Sequence, residues 1–181
     1  MVAILLGTGF EEIEALAACD ILRRAGVNVQ LVGIGGKEIA GAHNIRVCAD
    51  CTMEELALSE LEMIVLPGGL GGVSSVLGSE TALDAVRQAA AAGRYVAAIC
   101  AAPTVLAQLG LTDGRNVVCY PGMEPQMGSA IVHPDQQAVV DGRIVTGRAP
   151  GAALEFGLTL VRELCGEETA AQVAAGLVYS A

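Results

Sequence analysis

The chain has 181 residues, 53% hydrophobic and 17% charged, so it is long enough to bury a substantial core and is neither disordered nor fibrous. A formal charge of −10, no Trp, two Phe and three Tyr argue against nucleic acid and anionic membrane surfaces as partners. No uninterrupted apolar run reaches roughly 18 residues and no charged segment precedes an apolar one at the start, so neither a spanning helix nor a signal peptide is expected.

In chain order, Val2–Leu6 is a short apolar run ended by Gly7-Thr8-Gly9, which reads as a buried strand and a loop. Residues 11–25 show helical spacing, with Ile13, Leu16, Ala17, Ile21 and Leu22 on the apolar side and Gly26 as the stop. Residues 27–32 are β-branched again, so the opening reads as β-α-β. A shorter strand is expected over 43–48 and a short acidic helix over 53–60. Met63–Leu66 is the next strand, broken by Pro67-Gly68-Gly69, and Ser79 caps a helix through residue 92. Tyr95–Ile99 is a further strand with Cys100 at its end. A helix follows over 101–109, with Pro103 tolerated in its first turn. Later strands fall at 117–119, 138–140 and 143–146, the last two joined by the hairpin signal Asp141-Gly142. Helices over 152–165 and 167–177 close the chain. Short apolar strands alternating with helices predict one α/β domain over residues 1–181, with a mostly parallel sheet covered on both faces.

Ligands of open α/β sheets gather beyond the carboxyl ends of the strands, which singles out the loops at 7–14, 67–72 and 100–103. Cys100 passes from strand to helix with no residues to spare, the layout of a nucleophile elbow without its flanking glycines. A helix N-terminus there would favour thiolate over thiol. A buried structural cysteine fits the same spacing, because free cysteine is among the most buried residues. Successive backbone N–H groups over 67–72 form a candidate anion nest, and a flexible turn reads equally well. No nucleotide cofactor is expected. Residues 67–72 lack the Lys-Ser/Thr of a P-loop, Gly7-Thr8-Gly9 lacks a third glycine, and Glu11, Glu12 and Glu14 stand where pyrophosphate would bind. One of those carboxylates is placed to reach the elbow thiol. Neither His43 nor His133 sits in a motif that would make it a base. Cys48 and Cys51 form a lone CxxC with only His43 nearby, so no metal is expected. The six cysteines lack the spacing of a disulfide framework and suit a reducing, cytoplasmic compartment.

Taken together, Gly-Phe-Glu-Glu-Ile-Glu-Ala at 9–15, Val-Leu-Pro-Gly-Gly at 65–69, Ala-Ala-Ile-Cys-Ala-Ala-Pro at 97–103 and Thr-Gly-Arg-Ala-Pro-Gly at 146–151 resemble the DJ-1/PfpI superfamily. The match is closest to its DJ-1 branch, which includes ThiJ/YajL-like proteins. The resemblance implies a flavodoxin-like three-layer sandwich and a homodimer. It puts the nucleophile on Cys100, its acidic partner on Glu14 and oxyanion donors on the backbone of Gly69 and Ala101. Substrate contacts would fall on Gly68, Tyr120 and Arg148. Where some members carry a His-Pro pair this chain has Tyr120-Pro121, which removes an imidazole and puts protease and amidotransferase chemistry in doubt. Gly147 likewise stands where a serine hydroxyl would flank the pocket. The implied activity is cofactor-free. It is a glutathione-independent glyoxalase III reaction on small reactive aldehydes such as methylglyoxal and glyoxal, or deglycation of glycated protein groups, in oxidative-stress protection. The rival implication is a non-enzymatic redox sensor or chaperone using an oxidisable Cys100.

Overall fold

A computed structural model describes residues 1–180. β1 (Val2–Leu6) is buried at every residue, as a strand covered on both faces must be. α1 (Glu12–Arg24) leads to β2 (Val29–Gly33), which pairs parallel to β1 in the register Val2 to Val29. β3 (Glu38–Ala40) and β4 (Arg46–Cys48) form a separate antiparallel ribbon, and the two-residue β5 (Cys51–Thr52) returns to the edge beside β2. β6 (Met63–Leu66), α2 (Leu70–Leu77), α3 (Glu80–Ala91), β7 (Tyr95–Ile99) and α4 (Pro103–Gln108) follow. β8 (Asn116–Val117) and β9 (Ile131–Val132) make a small parallel pair; β10 (Ala138–Asp141) and β11 (Ile144–Gly147) make the expected hairpin, with Gly142 at φ +61°. α5 (Ala153–Cys165) and α6 (Glu167–Gly176) complete the order.

The central sheet has seven strands in the order β10-β11-β7-β6-β1-β2-β5, and only β10 runs antiparallel to its neighbour. From β1 the chain steps to β2 in one direction, and from β6 to β7 in the other. Right-handed crossovers taken in opposite directions place their helices on opposite faces. Accordingly α1 packs with α5, and α5 with α6, while α2 packs with α3 and α4. The result is a flavodoxin-like three-layer sandwich whose strand order reverses between β1 and β6, where a crevice opens at the carboxyl ends. Gly157 is the point of closest approach of α5 to α1, since a Cβ there would lie 2.7 Å from Ile21 Cδ1. Among the described residues, no helix is long and apolar enough to cross a membrane.

Several elements differ from the sequence expectation. Residues 70–77 are helix, not loop. Their glycines serve packing: Cβ atoms at Gly71 and Gly72 would lie 2.9 Å from Gly9 Cα and 2.7 Å from Phe10 Cα. The acidic helix over 53–60 shrinks to a single 3-10 turn at Leu58–Glu60, because the Glu55 carboxylate accepts a hydrogen bond from the Thr52 N–H and closes a turn instead. The strand at 43–48 is only Arg46–Cys48, paired with the unforeseen β3. Residues 118 and 119 leave β8, and the Val118 N–H donates to Thr146 Oγ1 at 2.9 Å. Elsewhere the expected helices hold to within a few residues, and Ser79 Oγ caps α3 by accepting from the Ala82 N–H.

Thr146 is fully buried, and its hydroxyl is the partner of a buried main-chain donor. Thr146→Val is expected to destabilise the fold by about 1–3 kcal/mol, because the Val118 N–H is left unpaired. The check is a lower urea midpoint at unchanged m-value.

Candidate active site

Three segments leave the carboxyl ends of β1, β6 and β7 side by side at the strand-order reversal. After Ile99 the chain has only Cys100, Ala101 and Ala102 before Pro103 opens α4, and Cys100 turns it in the left-handed region at φ +66°. For a residue with a Cβ this conformation costs on the order of 1–3 kcal/mol, so its surroundings must over-determine it. They do. The Cys100 N–H donates to Gly147 O at 2.9 Å, the Tyr120 N–H donates to Cys100 O at 2.8 Å, and the Ala102 N–H to Ile99 O at 3.1 Å.

The segment after β6 passes directly beneath the thiol. A Cβ on Gly68 would lie 2.7 Å from Cys100 Cβ and 2.8 Å from Glu14 Oε2, so only glycine lets the two side chains meet. Glu14 comes from the first turn of α1 and is 1% exposed. Its Oε2 accepts the Gly68 N–H at 2.7 Å. Its Oε1 is buried without a hydrogen-bond partner, and the Cys100 thiol is close enough to favour its charged form. The backbone N–H groups of Ala101 and Gly69 in turn favour the Cys100 thiolate.

Burial pushes Glu14 up to about 7, against the Gly68 and Cys100 hydrogen bonds that favour its charge. Burial, then the Glu14 charge, push the Cys100 thiol up to about 12, against the two backbone donors. The expectation of a helix-favoured thiolate is therefore corrected: the thiol ionises harder than a free one. α4 begins only at Pro103, has six residues, and does not outweigh a buried carboxylate at the sulfur. The site tolerates one negative charge. Between about pH 7 and about 12 the pair holds a single proton, and attack by sulfur requires that proton to sit on Glu14.

Above the pair is a cavity of about 640 Å³. Its lining comes from the loop after β1 (Gly9, Glu11), from Ala42 and His43, from Gly69, Leu70 and Gly71, from Cys100 and Ala101, and from Tyr120, Met123 and Pro150. Of the residues singled out from sequence, Cys100, Glu14, Gly68, Gly69 and Ala101 converge and Tyr120 lines the cavity. Gly68 lies behind the thiol and holds Glu14 instead of lining the cavity as a substrate contact. Arg148 is absent from the cavity wall; its N–H bonds Gln137 O and its Nε is buried without a partner. Nor does Gly147 withhold a hydroxyl from the pocket. A Cβ there would meet Phe156 at 2.7 Å and Ile99 at 2.8 Å, within the core.

Sequence reasoning passed over His43 and Glu11. His43 lies in an irregular segment whose position is fixed by contacts with the first loop. The Gly9 N–H donates to Ala40 O and the Ala42 N–H to Phe10 O, each at 2.8 Å. Buried Glu12 holds the same segment, accepting the His43 N–H at 2.7 Å and the Ile45 N–H at 3.4 Å on Oε1, with His43 Nδ1 3.0 Å from Oε2. The one available signal was a cluster of three acids followed by a histidine some thirty residues on, which no local pattern distinguishes from a solvated helix start.

A buried thiol and carboxyl sharing a proton at the switch point of a flavodoxin-like sandwich define a cysteine-centred α/β class. Residues 1–163 match the DJ-1/PfpI family, and the chain belongs to it. It is 39% identical over 179 residues to Protein dj-1beta of Drosophila melanogaster, covering 98% of this chain and 96% of that one. The crystal structure of Drosophila melanogaster DJ-1beta superposes with a TM-score of 0.95 at 37% identity, over 99% of this chain and 98% of that one. A more distant relative, 28% identical over 158 residues, covering 87% of this chain and 84% of its own length, is the glutathione-independent glyoxalase DJR-1.2 of Caenorhabditis elegans.

The Glu14 carboxyl makes a signed prediction for stability. The folded chain keeps its proton up to about pH 7, whereas the unfolded chain loses it near the ordinary carboxyl value of 4.5. The folded state binds more protons in that window, so this group's contribution falls as pH rises through it, by about 3 kcal/mol in total. Glu14→Gln removes this loss. The variant is expected to gain stability relative to wild type between pH 4.5 and 7, measured by urea unfolding across pH; parallel curves would contradict a buried, proton-retaining Glu14.

Proposed function

We propose that this chain is a cysteine-dependent glyoxalase that converts methylglyoxal to lactate without glutathione, and that glycated protein groups share the same site. The observation that carries the reading is a buried Cys100 thiol and a buried Glu14 carboxyl brought together across Gly68 at the wall of an open cavity. With the proton on Glu14, the Cys100 thiolate adds to the aldehyde carbon, forming the C–S bond and moving the carbonyl pair onto oxygen. The Gly69 and Ala101 N–H groups beside the sulfur stabilise that oxyanion, which then takes the proton from Glu14. Glu14, now a carboxylate, removes the hydrogen of the former aldehyde carbon and returns a proton to the neighbouring carbon. The hydroxyl proton of the first carbon passes to the oxygen of the second, so oxidation of one carbon balances reduction of the other, leaving a thioester that water cleaves to lactate and free Cys100. No external oxidant or cofactor enters. The named activity of the nematode relative supports this reading.

The same donors favour a second role. A sulfinate on Cys100 has two oxygens, and Gly69 N–H, Ala101 N–H and a protonated Glu14 are placed to hold them, so a redox sensor or chaperone would draw on the same thiol. We place the chain in the cytoplasm, where its six free thiols stay reduced. We also infer a homodimer built on α1, where Ile13 is 57% exposed and Ile45, tied through its N–H to Glu12, is 53% exposed.

Purified, metal-free protein is expected to form lactate from methylglyoxal. Cys100→Ala should fall to background, and Glu14→Gln should lose about 10²–10⁴-fold in kcat. No lactate from wild type would sink the glyoxalase reading and leave the oxidation role. Light scattering at micromolar concentration should give twice the chain mass; a monomer mass would refute the dimer.

A further inference from the structure

Among the described residues, His43 is the one basic side chain on the cavity wall, since no Arg or Lys lines it. Its ring is fixed on one edge only. Nδ1 sits 3.0 Å from Glu12 Oε2 and 3.7 Å from Glu11 Oε1, while Nε2 has no partner among the described residues. Glu12 is itself immobilised: it is 4% exposed, and its Oε1 is occupied by the His43 and Ile45 N–H groups. Gly41 leaves the space its carboxyl group fills, since any Cβ there would overlap that carboxyl. A carboxylate that fixes Nδ1–H leaves Nε2 as the working nitrogen of the ring. With Nδ1–H held on Glu12, Nε2 carries a hydrogen when the ring is protonated, and the Glu12 hydrogen bond, then the Glu11 and Glu12 charges, favour that protonated form.

A vicinal dicarbonyl bound through one carbon to Cys100 carries a second carbonyl oxygen on the adjacent carbon. The oxyanion donors at Gly69 and Ala101 lie beside the sulfur and serve the first oxygen. When hydrogen leaves the first carbon, the electron pair moves toward the second carbonyl, so charge develops on an oxygen those two donors do not address. The polar side chains lining the cavity are Glu11, Tyr120 and His43. A carboxylate repels that oxygen, which leaves His43 and Tyr120 as donors, and His43 is the one whose ring is held by a buried carboxylate.

We propose that His43, clamped by Glu12, presents Nε2–H to the second carbonyl oxygen of a vicinal dicarbonyl held on Cys100, and so selects dicarbonyls over simple aldehydes. The inference rests on the Cys100 reading above and supplies, from a different loop, the imidazole missing at Tyr120. Glu12 is a positioning residue in this scheme. The bonds formed and broken are those of the step already described; His43 donates a hydrogen bond and is neither consumed nor oxidised.

The test does not depend on turnover. Cys100 is alkylated with iodoacetamide in the presence of graded methylglyoxal or graded propanal, a monoaldehyde of the same carbon count. The half-protecting concentrations are compared in wild type, His43→Ala, His43→Gln and Tyr120→Phe. Comparing the propanal-to-methylglyoxal ratio between proteins cancels the greater intrinsic electrophilicity of methylglyoxal. That ratio is expected to fall about tenfold in His43→Ala, the loss of one charge-assisted hydrogen bond to the second carbonyl oxygen of the bound dicarbonyl. His43→Gln, whose amide N–H stands near the place of Nε2, should recover most of it, each protein being scored against its own alkylation rate without aldehyde. A His43→Ala ratio within about twofold of wild type, or a fall in Tyr120→Phe instead, overturns the assignment. Lactate is scored in parallel. A His43-dependent ratio without lactate supports this inference and sinks only the glyoxalase reading; lactate with a His43-independent ratio does the reverse.

Discussion

The structure depends on one steric and electrostatic constraint: a thiol and a carboxyl from different segments meet in a space with no room for a side chain between them. Gly68 is that space, with Cys100 Cβ and Glu14 Oε2 each under 3 Å from where its own Cβ would stand. Its N–H orients one oxygen of Glu14, which turns the other toward the sulfur. The left-handed turn at Cys100 follows from the same crowding, as do the close approaches of Gly69 and Gly71 to the first loop. Each segment is brought there by a parallel strand ending at the reversal of strand order, so the fold and the site are consequences of one topology.

Magnitudes decide how that pair behaves. A helix N-terminus contributes about 0.3–1 kcal/mol to a nearby anion, and about 2 kcal/mol in favourable partly buried geometry. Raising the thiol from 9.0 to about 12 corresponds to about 4 kcal/mol in the opposite sense. Burial beside a carboxylate therefore wins over the dipole. In the proposed chemistry thiolate forms by internal transfer of a proton to Glu14, which keeps the buried charge at one, and Glu14 is then the group that returns that proton to carbon.

Family membership fixes the scaffold without fixing how each member completes its pocket. In this chain Tyr120 and an imidazole, His43, both line the cavity, the latter on a segment secured by Glu12. The three acids after β1 thus divide their work. Glu14 turns inward toward Cys100, Glu12 anchors the neighbouring segment, and Glu11 faces the cavity.

What the sequence determined by itself was the set of interactions that are local or periodic. Short apolar runs such as Val2–Leu6, ended by glycine, and Met63–Leu66, ended by proline, specify buried parallel strands, helical spacing specifies α1, α3 and α5, and an N-cap serine specifies where α3 starts. Cys100 was legible because a strand-to-helix junction with no spare residues is a local pattern, and Glu14 became legible only beside the family motifs. The tertiary structure alone decided the remainder. The glycines of α2 read as loop because their purpose is a backbone contact with Gly9 and Phe10, some sixty residues earlier. The ionisation of Cys100 reversed the local expectation because desolvation and the Glu14 charge come from packing between segments. His43 stayed hidden for the same reason: its place on the cavity wall is set by hydrogen bonds from the first loop and from Glu12, thirty residues away, which no local pattern encodes.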